Sequence, residues 1–120
     1  MKKKRRNFKK KPFATIITIV KNNEKYLEHT IKSIINQSNK NFEYIVIDGN
    51  SKDKSLKIIK KYDKKIDFWI SQNDKGIYDA FNKGLKLAKG KFIGFVNSDD
   101  LLEKNAIKIL REYDLKYPNI

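Results

Sequence analysis

The 120-residue chain contains no cysteine. Neither a disulfide framework nor a thiolate metal site is open to it, which fits a reducing compartment. Histidine occurs once, as His29, and a zinc site built from several imidazoles is thereby excluded. Any metal would be held by oxygen ligands, which means a hard cation. Glycine is scarce, at five residues. These form neither a G-x-G-x-x-G nor a Walker lysine motif, so there is no glycine-rich phosphate loop. No stretch approaches the ~20 apolar residues of a membrane span. The early apolar run "FATIITIV" (13–20) contains two threonines and runs into Lys21 without a small-residue cleavage site. It does not read as a signal peptide. The chain is expected in the cytoplasm, with a peripheral contact to the inner face of the membrane left open.

Positive charge is what the chain has in excess. The net charge is +14, from 28 basic and 14 acidic residues. Eight of the basic residues (Lys2, Lys3, Lys4, Arg5, Arg6, Lys9, Lys10 and Lys11) open the chain; without them 20 bases face 14 acids, a net +6. Residues 1–12 therefore form a separate basic tail, expected to be disordered, with Pro12 marking where order begins. An arm for nucleic acid, a contact with anionic lipid headgroups and a solvated tail without a partner are all compatible with it. The remainder, 13–120, has the length of one domain with a real core.

Hydrophobic periodicity predicts alternating elements. "FATIITIV" reads as a strand buried on both faces. A helix follows in "NNEKYLEHTIKSIINQ", with Leu27, Ile31, Ile34 and Ile35 on one face and Asn22 or Asn23 as N-cap. "FEYIVI" (42–47) is a strand, "KSLKIIKKY" a helix with Leu56, Ile59 and Tyr62 inward, and "DFWIS" a short strand. Residues 77–88 form the cleanest helix, with Ile77, Ala80, Phe81, Gly84, Leu85 and Ala88 as its stripe and Gly90 as a left-handed C-cap. A buried strand over 92–96 and a last helix from about Lys104 to Tyr117 complete the series. Four strand–helix alternations predict a parallel α/β sheet with helices on both faces. Ligands of such sheets bind outside the carboxyl ends of the strands. The polar residues at those ends are Lys21–Asn23, Asp48–Asp53, Gln72–Lys75 and Asn97–Asp100.

The stretch "GKFIGFVNSDDLL" (90–102) sets Asp99 and Asp100 side by side behind an apolar run. Adjacent like charges repel unless a cation, a helix start or water compensates them. Asp48 in "IDGNSKD" has a plain structural reading, as a cap of the following helix with Gly49 supplying a turn. Together with Asp74 in "NDKG", however, these acids exceed what caps require. With no phosphate loop, carboxylates on this rim suit a phosphorylated ligand only through a divalent cation. Mg²⁺ or Mn²⁺ is gripped by one or two carboxylates and leaves positions for phosphate oxygens.

The segments "TIITIVKNNEKYLEHTIKSIINQSNKNFEYIVIDGNSKD" and "DKGIYDAFNKGLKLAKGKFIGFVNSDD" resemble family 2 glycosyltransferases, the inverting GT-A group, in the bacterial members that build capsule, O-antigen and exopolysaccharide. The resemblance covers nearly all of 13–117 and rests on the joint order of the motifs. It implies a Rossmann-like GT-A fold that binds a nucleotide-diphosphate sugar. Val20, Lys21, Asn22 and Asp48 would hold the nucleotide base, and Asp74 would lie beside the nucleotide. Asn82 and Gly84 would pack beneath the site. The family's D-x-D motif, which binds metal and sugar diphosphate, reads here as Asn97, Ser98, Asp99 and Asp100. Since Asn97 carries no charge, Asp99 and Asp100 would carry the cation. A second departure is Asp48-Gly49, where many members have two aspartates.

In the family the catalytic base lies well beyond the D-x-D motif, in an acceptor-binding half. It is expected beyond Ile120, and 13–120 would then be an incomplete, donor-binding part truncated after the D-x-D region. The implied acceptor is a glycan or a lipid-linked glycan in cell-surface polysaccharide synthesis. Three other readings stand beside this one. A basic nucleic-acid-binding module would rest on the charge, but no such motif is visible. A receiver-like signalling domain would need its acidic pair after the first strand, where this chain has "VKNN". A non-catalytic nucleotide-sugar-binding fragment is the third.

Overall fold

A computed structural model describes Met1 and residues 11–119. Apart from Met1, Lys11 and Pro12, the basic tail lies outside the described residues, as does Ile120. The strands are β1 (Ala14–Val20), β2 (Phe42–Asp48), β3 (Phe68–Ser71) and β4 (Phe92–Phe95). The helices are α1 (Leu27–Ile35), α2 (Ser55–Lys61), α3 (Ile77–Leu87) and α4 (Ala106–Lys116), with a single 3-10 turn at Asp63–Lys65. The sheet order is β3-β2-β1-β4, and every neighbouring pair is parallel. Residues at the carboxyl ends fall into register as Val20 with Asp48 and Asp48 with Ser71. The expected α/β architecture with parallel strands is thus present.

Alternation along the strands splits the core into two layers. Ile16, Val20, Tyr44, Val46 and Trp69 face one way and meet Leu27, Ile31 and Ile34 of α1, Ile59 of α2 and Ile107 of α4. Ile17, Ile45, Ile47 and Phe68 face the other way and meet Ala80 of α3. Both faces of the central strands are covered, which is why β1 and β2 read as almost unbroken apolar runs. Gly84 lets α3 approach that second face: a Cβ there would stand 2.9 Å from Ile17 Cγ2.

Four local expectations are corrected. Neither Asn22 nor Asn23 caps α1 with its side chain. The N-cap is Tyr26, without a side-chain cap bond, and Asn23 serves through its carbonyl, which accepts from the amides of Tyr26 and Leu27. Gly90 is not a left-handed C-cap, since Gly76 is the one glycine with positive φ among the described residues. It is needed because the chain crosses β1 closely: a Cβ on Gly90 would lie 2.4 Å from the backbone of Ala14 and Thr15. The 92–96 strand is an edge rather than a buried strand, with Ile93 43% and Phe95 37% exposed. The stripe on α3 is likewise only partly covered, since Ile77 and Leu85 are exposed.

One buried acid organises that crossing. Glu43 of β2 is fully buried and accepts from the Thr15 hydroxyl at 2.9 Å and the Lys89 amide at 2.8 Å. The Thr15 hydroxyl in turn accepts from the Gly90 amide at 2.8 Å. The turn between α3 and β4 is thereby fixed to the two central strands, and with it the origin of the strand that delivers Asn97–Asp100.

Candidate functional site

Because all four strands run the same way, their carboxyl ends open on one edge of the sheet. A cavity of about 320 Å³ lies there, lined by Ile19, Val20, Lys21, Asp74, Gly76, Ile77, Asn97 and Ser98. Five of the predicted site residues (Val20, Lys21, Asp74, Asn97 and Ser98) therefore share one hollow. Other hollows, of about 420, 530 and 590 Å³, are larger. They lie at the amino end of β2 or along helix surfaces, away from the strand ends where such sheets bind ligands.

Asp48 does not line the cavity. Its side chain is completely buried. One carboxylate oxygen accepts from the Ser51 hydroxyl at 2.5 Å. The other accepts from the Ser51 amide at 3.1 Å and the Ser71 hydroxyl at 2.6 Å. These bonds close the 48–51 turn and tie it to β3. They do not cap α2, whose N-cap is Lys54 with no side-chain bond. Asn22 adopts positive φ (51°), the left-handed conformation that Asn tolerates better than most residues. Its amide donates to Ser51 Oγ at 2.8 Å, and its Oδ1 accepts from the Lys52 amide at 2.6 Å. The loops after β1 and β2 are thus held together.

Asp53 completes that joint by accepting from the amides of Ser55 and Glu24. Partial burial pushes its carboxyl up, but the donated bonds, led by the Ser55 amide, outweigh this and hold it below the ordinary aspartate range. At the start of α3, Asp79 accepts from the Lys75 amide at 3.0 Å. That bond first, and the Lys83 ammonium second, lower its pKa. Gly76, with φ of 112°, makes the bend from this loop into the helix, a conformation closed to most side chains.

Asp99 and Asp100 are exposed and sit in a turn closed by the Asp100 amide donating to the Asn97 carbonyl at 3.0 Å. They do not begin a helix, since α4 starts only at Ala106. Of the three compensations for an acidic pair, a cation and water remain. Two exposed carboxylates with the Asn97 amide beside them suit an oxygen-ligated cation that takes its other ligands from phosphates and water. Among the described residues no group of three His, Cys, Asp or Glu side chains is gathered to hold a metal by itself.

The turn is positioned by residues that the sequence reading missed. The Thr30 hydroxyl donates to the Asp100 carbonyl at 2.6 Å, and Ser33 Oγ accepts from the Leu102 amide at 3.0 Å. Gln37 is buried; its Nε2 donates to the Glu103 carbonyl at 2.7 Å, and its Oε1 accepts from the Ile107 amide at 3.2 Å. Asn23 Nδ2 donates to Ser98 Oγ at 2.9 Å. Thr30 and Ser33 lie one turn apart on α1, and Gln37 follows at the next step of four, two residues past its end, continuing a polar seam beside the apolar face. That spacing was the available signal. Of the pair implied to pack beneath the site, Gly84 is buried and Asn82 is exposed.

Comparison with known proteins gives this arrangement a family. Residues 15–119 match the profile of the family described as Glycosyl transferase family 2. An uncharacterized glycosyltransferase of Haemophilus influenzae is 38% identical over 100 residues, covering 81% of this chain and 40% of that protein. The poly(ribitol-phosphate) β-N-acetylglucosaminyltransferase TarS of Staphylococcus aureus is 35% identical over 99 residues, covering 78% of this chain and 17% of TarS. A crystal structure of S. aureus TarS 1-349 in complex with UDP-GlcNAc superposes with a TM-score of 0.79 at 31% identity, covering 88% of this chain and 32% of that one. The chain thus spans well under half the length of the relatives it matches. The parallel sheet, the cavity at its carboxyl edge and the matched sequence agree that this chain belongs to glycosyltransferase family 2.

Proposed function

We propose that this domain binds a nucleotide-diphosphate sugar through a divalent cation, Mg²⁺ or Mn²⁺, and belongs to an enzyme that transfers the sugar. The carrying observation is the convergence of Val20, Lys21, Asp74, Asn97 and Ser98 on one cavity, with the exposed Asp99 and Asp100 next in the chain after Ser98. Val20 and Lys21 would flank the nucleotide, the Lys21 ammonium supplying positive charge toward phosphate, and Asp74 would accept from the donor. Asp99 and Asp100 would hold the cation. When bound, such a cation neutralises the diphosphate and stabilises it as leaving group. Asn22 and Asp48 would act mainly by shaping the loops, because Asp48 can reach a base only if Ser51 and Ser71 release it.

The acceptor is a glycan or a lipid-linked glycan, and the setting is cell-surface polysaccharide synthesis. The domain works in the cytoplasm, with the basic tail able to touch anionic lipid. No helix among the described residues is long and apolar enough to cross a membrane.

UDP is the first nucleotide to try, since the TarS relative was crystallised with UDP-GlcNAc. Calorimetry with and without Mn²⁺ should show metal-dependent binding, and Asp99→Ala and Asp100→Ala should each weaken the metal-dependent part. Equal affinity with and without Mn²⁺ would sink the metal bridge.

A further inference from the structure

We propose that Gly49 is a positioning residue of this site: by having no side chain it admits the Asp74 carboxylate against the end of β2. The inference rests on the donor-site reading above. The usual reason for a glycine after a strand is backbone freedom, and it does not apply here, because Gly49 is not among the residues with positive φ. The space around it supplies the reason. A Cβ on Gly49 would lie 2.8 Å from Asp74 Oδ2 and 3.4 Å from Lys21 Cδ. The first distance is shorter than real Cβ atoms show, so Asp74 would have to leave its place.

Asp74 is held where it is. Its Oδ1 accepts from the Gly76 amide at 3.1 Å. The loop that carries it is clasped to the 48–51 turn, through the Gln72 amide donating to the Asp48 carbonyl at 3.1 Å and Asn50 Nδ2 donating to Asn73 Oδ1 at 2.9 Å. Gly49 itself is anchored, its amide donating to the Val20 carbonyl at 2.9 Å. With both loops pinned, a side chain at position 49 cannot be accommodated by moving backbone. The short Asp74 side chain has to rotate, and rotation gives up the Gly76 bond and withdraws the carboxylate from the cavity wall. An aspartate at this position would also bring a second negative charge into the same volume. In this chain one carboxylate, delivered from the loop before α3, occupies the space.

The test compares Gly49→Ala, Asp74→Ala and the double variant. Without nucleotide, Gly49→Ala should displace the amide signals of Gly76 and Asn73 in a ¹H–¹⁵N spectrum; unmoved signals overturn the proposal. In UDP titrations with Mn²⁺, Gly49→Ala should weaken binding about tenfold, the scale of one lost hydrogen bond to a charged group. It should add no further loss once Asp74 is alanine, and equal losses in both backgrounds overturn the proposal. Should Gly49→Ala fail to fold, the double variant decides: recovery of the fold supports the collision, and continued failure refutes it. If the unaltered chain binds no UDP, the donor-site reading falls, while the amide signals still decide whether Gly49 positions Asp74.

Discussion

At the scale of single residues, the acids of this chain divide by what they touch. Asp48 spends both oxygens on Ser51 and Ser71 inside the protein, whereas Asp99 and Asp100 are exposed. Asp48→Ala should therefore lower stability as well as nucleotide affinity, and the affinity loss should persist without metal. Stranding the buried Ser71 hydroxyl and opening the turn should cost about 1–3 kcal/mol in urea unfolding. Asp99→Ala should leave the unfolding midpoint nearly unchanged. Glu28 is a different kind of acid: hydrogen bonds from Lys61 and Tyr62 hold its pKa at about 2, down from 4.5. A carboxyl depressed on folding contributes stability above its unfolded pKa and loses it as pH falls through the folded value. Glu28→Gln should thus remove part of the stability loss between about pH 4.5 and pH 2. Acid titrations of both forms followed by circular dichroism check this, and parallel curves would argue against it.

At the scale of elements, α1 does more than bury Leu27, Ile31 and Ile34. Thr30 and Ser33 on it, with Gln37 just past its end, hold the segment from Asp100 to Ile107, so the acidic turn is positioned by residues more than sixty positions earlier in the chain. Gln37→Leu should strand the Glu103 carbonyl and the Ile107 amide at a cost of about 1–3 kcal/mol. It should also weaken metal-dependent UDP binding without touching the ligand. Unchanged metal dependence in a folded variant would show that the turn needs no such support. The α3–β4 turn is less tolerant. The nearest atoms to a Cβ on Gly90 are β1 backbone, at 2.4 Å, which cannot rotate aside. Gly90→Ala should therefore destabilise by at least the ~1–3 kcal/mol typical of overpacking. Gly84→Ala meets side-chain atoms of Ile17 rather than backbone and should cost less, a ranking that paired denaturation curves test directly.

At the scale of the whole molecule, charge and fold are separable in sequence. The tail carries eight basic residues, and of these only Lys11 is described, exposed at the approach to β1. Met1 is also described: its amino group donates to the Ser71 carbonyl at 3.2 Å, and its carbonyl accepts from the Ser71 amide at 2.8 Å. Ser71 is the residue whose hydroxyl holds Asp48, so the tail's effect on the site is a real question. Deleting residues 2–11 removes no strand or helix found among the described residues. Nucleotide affinity should stay within a few-fold, while binding to anionic vesicles at low salt should fall sharply. A large loss of nucleotide affinity would make the tail part of the site.

Much of this protein was determined by the sequence alone, because its signals are local and periodic. Alternating apolar runs and helical stripes placed four strands and four helices, and strand–helix alternation implied a parallel sheet whose carboxyl edge gathers Lys21, Asp74 and Asn97. Whatever depended on packing between distant segments was decided only by the tertiary structure. The run 92–96 carries the same residues whether it lies inside or at the rim of a sheet, so its edge position, with Ile93 and Phe95 exposed, could not be read from it. Glycine gives the same letter for a left-handed turn, a helix contact or a close crossing. Only the fold separates Gly76, required by its φ, from Gly90, pressed on β1, and Gly49, pressed by Asp74. An aspartate at a strand end is equally silent about burial. Asp48 faces inward because two serines, one three residues away and one 23 residues away, meet it there, and that meeting exists only once β2 and β3 have paired.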